Sequence, residues 1–225
     1  VHVDSTTRDT PEYSSNDEWL AHAGLRFGLA GGRFLNRINV QYTDTARENL
    51  NPERARALSF ESEGTNKRAE YQGQFQIHSA LSAVFGADYE KSEFKSRSPA
   101  ASLSTPLPNF ARGSAEILGV YAQLHAKPIS GLHLNAGLRH DDHDIYGGAT
   151  LFGAGGRWNI GGGTALRASY GEGFKAPSLY QLYSEYGNDA LAPERSSGWE
   201  AGGSQSLFSD AVTVSALYYE RTSKD

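Results

Sequence analysis

Tyr180, Tyr183 and Tyr186 recur at three-residue intervals, with Leu179 before the first and Leu182 between the first two. That spacing suits a short helical turn presenting aromatic rings, whose apolar bodies and polar tips hold planar or amphipathic molecules well. The same rings could equally pack a loop on itself. His140, Asp141, Asp142, His143 and Asp144 form the densest titratable run. Oxygen ligands of this kind suit Ca²⁺, but the run lacks the EF-hand pattern and its bidentate glutamate, and a solvated acidic loop is the simpler reading. His125 and His133 flank a turn at Pro128 to Ser130, which is expected to set them roughly opposite each other on adjacent strands. Two histidines can share a metal, yet a site needs three or four ligands and no others are evident, so no metal or cofactor is assigned. Gly-x-Ser-x-Gly, His-Glu-x-x-His and Gly-rich phosphate loops are all missing from the sequence, which argues against an enzyme.

The elements that must position these residues are strands. Tyr71, Gly73, Phe75 and Ile77 interleave with Glu70, Gln72, Gln74 and Gln76, and successive strand side chains point to opposite faces. Trp19 to Phe27, Leu118 to Leu124 and Leu132 to Leu138 alternate in the same way. Alternating segments are expected near residues 16–29, 33–44, 66–77, 80–94, 114–127, 131–142, 148–160, 163–172, 195–207 and 211–222, about ten strands in all. Strands of roughly ten residues or more suit a tilted bilayer crossing. The 225 residues carry a net charge of −5 and a mean hydropathy of −0.53. Such polarity is compatible with a membrane barrel, because only the outside of the wall must be apolar. The expected fold is therefore all-β: an antiparallel transmembrane β-barrel wall, with Glu70, Gln72, Gln74 and Gln76 facing the lumen and Tyr71, Phe75 and Ile77 facing lipid. An arginine at Phe75 would cost on the order of 2 to 4 kcal/mol if that site lies at midplane.

The connections alternate in length. Gly31 with Gly32, His78 with Ser79, Pro128 to Ser130, Gly161 with Gly162, and Ser209 with Asp210 read as tight turns, whereas 45–65, 95–113 and 173–194 read as long loops and 143–147 is short. Outer-membrane barrels have short periplasmic turns and longer extracellular loops. Trp19, Tyr42, Tyr89, Trp158, Tyr170 and Tyr218 share outward parity near strand ends, where headgroup girdles lie. The absence of cysteine excludes a disulfide framework, and the mild acidic balance argues against nucleic acid as a partner.

Arg167 to Glu200 reads RASYGEGFKAPSLYQLYSEYGNDALAPERSSGWE, and Ala136 to Thr150 reads AGLRHDDHDIYGGAT. Both stretches resemble the barrel domain of TonB-dependent outer-membrane receptors, and NVQYTDTARENLN resembles strands of the cobalamin-receptor branch of that family. Many relatives have Asn-Pro after the glycine, where this chain has Asn188-Asp189, and a lysine where Ala192 precedes Pro193. The resemblance covers most of residues 1–225 and implies part of a barrel of about twice as many strands, with a plug domain, a TonB box and the C-terminal strands not included. The start at Val1, without Met or an apolar leader, and the stop straight after a strand pattern both read as cut ends. The implied function is high-affinity uptake of a scarce ligand across the bacterial outer membrane, coupled to the TonB complex through the plug. A cobalamin or other corrinoid is the first ligand expected, and a ferric siderophore the second. A passive porin or structural barrel is the rival class. In this reading His125 and His133 hydrogen-bond to the plug, and Tyr180, Tyr183 and Tyr186 belong to an extracellular ligand-capturing loop.

Overall fold

The computed structural model describes residues 11–224. The start of the chain, residues 1–10, which the sequence reads as a cut end, lies outside the described residues. Ten strands follow in order: β1 (Tyr13–Leu29), β2 (Phe34–Leu50), β3 (Leu58–His78), β4 (Leu81–Arg97), β5 (Ala111–Ala126), β6 (Leu132–His143), β7 (Gly147–Gly161), β8 (Thr164–Lys175), β9 (Glu194–Leu207) and β10 (Val212–Lys224). One short helix, α1 (Leu179–Tyr183), lies between β8 and β9. The strands make a single antiparallel meander in which each pairs with its neighbours in sequence. All ten expected strands are present.

Residues directly opposite each other in an antiparallel ladder share a face, so the register resolves the two surfaces row by row. One row runs Gln76, Ser82, His125, Asn135, Gly155, Ser169, Glu200 from β3 to β9. Another runs Arg26, Arg37, Gln72, Gly86, Tyr121, Arg139 from β1 to β6. The opposite face carries Leu25, Ile38, Tyr71, Ala87, Val120 in register, and Leu138, Phe152 farther along. Gln72, Gln74 and Gln76 thus stand with the polar rows and Tyr71, Phe75 and Ile77 with the apolar ones, as the alternation predicts. α1, which follows β8, touches β4 and β5 across the polar face, so that face is the concave one. The apolar face is convex and turned to lipid, the arrangement that keeps amides out of hydrocarbon.

Such a wall has almost no apolar core. Among the described residues the buried hydrophobic ones are Ala149 and Leu182, whereas Asn36, Asp88, Ser96, Asp141 and His143 are buried and polar. Large apolar residues such as Trp19, Leu138 and Tyr218 are left exposed on the convex side, which in water would be a defect and in a bilayer is the requirement. Three girdle tyrosines hydrogen-bond to carboxylates on the same outer face: Tyr42 to Asp44 at 3.3 Å, Tyr89 to Glu116 at 2.8 Å and Tyr170 to Glu172 at 2.8 Å.

The connections at one end are tight, at Ala30–Gly32 and at 79–80, 127–131, 162–163 and 208–211. At the other end the longest are 98–110 and 176–193. The expected long loop at 45–65 is mostly ladder. β2 runs on to Leu50, Leu50 pairs with Leu58, and only 51–57 connect the strands. Above the bilayer both faces are wet, so Thr43 to Asn49 show no apolar alternation to read although their backbone still pairs. Phe75 sits three residues from the end of β3 at the tight-turn side, near the membrane boundary rather than at midplane.

Candidate functional site at the outer mouth

The loop 176–193 folds inward for local reasons. Pro177 ends strand pairing by removing a donor, and Ser178 then caps α1. Its Oγ accepts from the Gln181 backbone N–H at 3.2 Å, while Gln181 Oε1 accepts from the Ser178 N–H at 2.9 Å, a reciprocal capping box. Helix α1 ends after Tyr183, and Asn188 N–H returns to Gln181 O at 2.8 Å. Asn188 then closes an Asx turn onto Ala190 N–H at 3.0 Å, and β9 starts at Glu194 after Pro193.

The three tyrosines of the predicted site are divided by this geometry. The Tyr183 ring lies against Gly113 of β5, where an added Cβ would clash with a ring carbon, and the neighbouring Leu182 is buried. Tyr180 packs edge-on against Phe60 and Phe94, with ring centroids 6.3 and 5.9 Å away. Tyr186 lies beyond the helix and is 78% exposed. Tyr180 and Tyr186 line one open cavity of about 550 Å³ together with Phe60, Arg47, Asn49 and Ser98. Hydrogen bonding to Glu185 raises the pKa of the Tyr186 phenol. Phe60, Phe94 and Arg47 were not singled out in the sequence. The signal that could have found them is inward parity continued past the membrane into β2, β3 and β4.

Hydrogen bonds tie the rim together. Arg54 donates to Pro99 O and Arg56 to Thr105 O, each at 2.7 Å, which joins 51–57 to 98–110. Tyr146 donates to Leu191 O at 3.1 Å, linking the β6–β7 turn to the α1 loop. The acidic run does not converge. Strand parity sends His140 and Asp142 outward and buries Asp141 and His143 inward, and among the described residues no group of three or more His, Asp or Glu could hold a metal ion. His125 and His133 share the concave face and one cavity, but they are not opposite: His125 faces Asn135 and His133 faces Arg157. The β5–β6 ladder starts at the pair Ala126 and Leu134, so the hairpin is centred on residue 130, one position beyond the centre that would set the two histidines opposite each other.

Below the mouth, the concave face holds an ion-pair network that the sequence did not single out. Arg139 donates to Asp88 at 2.8 Å and to Asp141 at 3.0 Å. Arg68 reaches Asp88 at 3.4 Å and Glu90 at 3.3 Å, and Asn66 donates to Glu90 at 2.7 Å. Gly119 lies between Asp88 and Asp141 in register; a Cβ there would meet the Arg139 guanidinium and stand 2.7 Å from Asp88 Oδ2. The missing side chain is what lets the arginine cross β5. The network sits on a rigid sheet with its groups paired, which makes it a structural brace of the wall rather than a reactive centre.

This curved polar-inside, apolar-outside wall with an inward-folded loop defines an outer-membrane barrel segment. Residues 3–225 match the family model described as TonB dependent receptor-like, beta-barrel, and the chain belongs to that family. Its fold is similar to a mutant ferric enterobactin receptor of Pseudomonas aeruginosa, with a TM-score of 0.79 at 18% identity over 94% of this chain and 35% of that one. It is also similar to the siderophore receptor PirA of Pseudomonas aeruginosa (TM-score 0.68, 20% identity, 92% of this chain and 40% of that one). For PirA of Acinetobacter baumannii the values are 0.70 and 16%, over 97% of this chain and 36% of the other. The chain therefore spans well under half the length of these receptors. Family membership places it in the outer membrane of Gram-negative bacteria, in a family of receptors and not of enzymes.

Proposed function

We propose that the chain is part of the wall of a TonB-coupled importer of a ferric siderophore and that Tyr180 and Tyr186 contact the ligand at the outer mouth. The observation that carries the reading is the cavity lined by these two rings and Phe60, with Arg47 and Glu12 as its charged residues. Aromatic walls suit a rigid chelate with aromatic or planar arms, and Arg47 can take up an anionic group on it. The siderophore receptors among the structural neighbours favour this ligand class over the corrinoid expected from the sequence. Tyr183 keeps the loop seated and is not a contact in this reading. Energy transfer would come from TonB through a plug, both belonging to the whole receptor.

The test is binding of ferric enterobactin and of cyanocobalamin to cells displaying the full-length receptor, at equal surface abundance. The double variant Tyr180→Ala/Tyr186→Ala is expected to lose about tenfold or more in affinity for the ferric chelate, as removal of central aromatic contacts commonly does. Binding of cyanocobalamin instead, weakened by the same variant, would restore the corrinoid reading. Affinity unchanged for whichever ligand binds would remove the two tyrosines from the site.

A further inference from the structure

Near its outer edge the wall splits. The ladder between β7 and β8 ends at Gly153 opposite Gly171, although β7 extends outward from there to Gly147 and β8 to Lys175. Phe152 N–H points into the split and donates to Glu172 Oε2 at 2.9 Å, while Tyr170 donates to Glu172 Oε1 at 2.8 Å. Both oxygens of that carboxylate are thereby engaged. Beside the split lies a cavity of about 560 Å³, whose lining from the convex side is Thr150, Glu172, Arg195, Ser197, Thr222 and Lys224. Arg195 stands directly opposite Lys224 across β9 and β10, and like charges so placed destabilise a sheet. Both are exposed, and among the described residues neither forms an ion pair. The Arg195 guanidinium lies over the Phe174 ring, 5.6 Å from its centroid. One row inward, Ser197 faces Thr222 and Glu172, and the next row sets Trp199 against Tyr170 and Glu220. Tyr218 joins that aromatic row, its ring centroid 5.3 Å from that of Trp199.

We infer that this cavity is a binding site for the phosphate of one lipid headgroup in the outer leaflet. Charge selects an anion. Two facing cations without counter-charge are neutralised by a phosphate, which the planar fork of Arg195 takes through two parallel hydrogen bonds and Lys224 as a point charge. The hydroxyls of Thr150, Ser197 and Thr222 supply further donors. Glu172, the one carboxylate among the described residues of the lining, is committed to the Phe152 N–H and the Tyr170 phenol and leaves both cations to a ligand. Position selects a lipid. The pair lies four residues outward of Trp199 and Glu220, about 13 Å along the strand at ~3.3 Å per residue, which a tilt of about 45° reduces to roughly 9 Å of height. Aromatic girdles mark the membrane interface, and long cationic side chains just beyond one reach the headgroup layer. Below the girdle, Gly156, Ala168 and Ala201 follow one another in register on the convex face, and their small side chains leave a shallow trough for an acyl chain. A free phosphate would use neither the girdle nor the trough. The inference is independent of the ligand bound at the outer mouth.

The test uses the full-length receptor in nanodiscs of phosphatidylcholine, with and without added phosphatidic acid. Acetylation of lysine amines by N-hydroxysuccinimidyl acetate is followed by peptide mass spectrometry, and Lys67, exposed on the convex face of β3, serves as the reference. Phosphatidic acid is expected to slow acetylation of Lys224 by about fivefold or more relative to Lys67, as an occupied site does. Arg195→Gln should return Lys224 to the rate seen in phosphatidylcholine alone. Inorganic phosphate added to the phosphatidylcholine discs should leave that rate unchanged. Unaltered acetylation of Lys224 in phosphatidic acid would overturn the inference, and so would equal slowing of Lys224 and Lys67, which reports only a negative surface. Protection by inorganic phosphate as strong as by the lipid would make the cavity a free-anion site and overturn the assignment to lipid. Protection that persists in Arg195→Gln would likewise overturn it. If that variant does not fold, the lipid and phosphate arms on the unmodified receptor still decide.

Discussion

Gly119 and Tyr183 show how much single positions decide in this wall. Gly119→Ala puts a methyl group into the Arg139 guanidinium, and the arginine cannot move aside without leaving Asp88 and Asp141 buried and under-paired. The substitution should destabilise the full-length receptor by about 1 to 3 kcal/mol, read as a lower urea midpoint, while the same change at Gly171, where a Cβ meets nothing within 4 Å, should be close to neutral. Tyr183→Ala should release the loop 176–193, increasing its cleavage by protease on intact cells, whereas Tyr186→Ala, at an exposed position, should leave the cleavage rate unchanged. The tyrosine triplet was legible as one cluster from its spacing. Its division was not, because Gly113, the residue that seats Tyr183, lies some seventy residues away and on the other side of the concave face. For the same reason no local pattern announces that Asp88 and Arg139 will meet, since the contact depends on the register of three strands.

Elements were more readable than residues wherever one face meets lipid. The alternation in β5 and β6 locates both strands to within a few residues, because a one-residue slip would turn every leucine into the lumen. Past the bilayer the constraint lapses, which is why the outer ends of β2 and β3 read as loop and are paired. Depth then becomes a quantity that mutations report. Leu138 lies six residues into β6 on the convex face, so Leu138→Arg should cost on the order of 2 to 4 kcal/mol, and Phe75→Arg, close to the boundary, roughly 0 to 1. Equal penalties in a refolding titration would contradict the depths assigned to the two sites. Tight turns offer a second check. The β7–β8 turn meets its positive φ angles with Gly161, Gly162 and Gly163, but the β9–β10 turn places Phe208, Ser209 and Asp210 at φ 54°, 55° and 68°. Because a left-handed conformation costs an ordinary residue about 1 to 2 kcal/mol, Ser209→Gly should raise the denaturation midpoint.

At the scale of the whole molecule, β1 and β10 each have a neighbour on one side only among the described residues, and an unpaired edge is a template for association. Residues 1–225 expressed alone should aggregate or pair edge to edge in detergent, and a monodisperse, heat-resistant monomer in light scattering would contradict this. The family could be read from GFKAPSLYQLYSEYGN in the sequence, but the ligand could not, because the mouth cavity is assembled from five separate stretches of chain and fold does not fix what a site binds. If the wall belongs to an energised receptor, as proposed, and not to a passive pore, import depends on the TonB complex. That dependence is tested most directly by accumulation of ⁵⁵Fe-labelled ferric enterobactin in cells carrying the full-length receptor, with and without a functional TonB complex. Surface binding is expected in both strains and accumulation only in the strain with TonB. Equal accumulation in the two strains would contradict it and assign the wall to a passive channel.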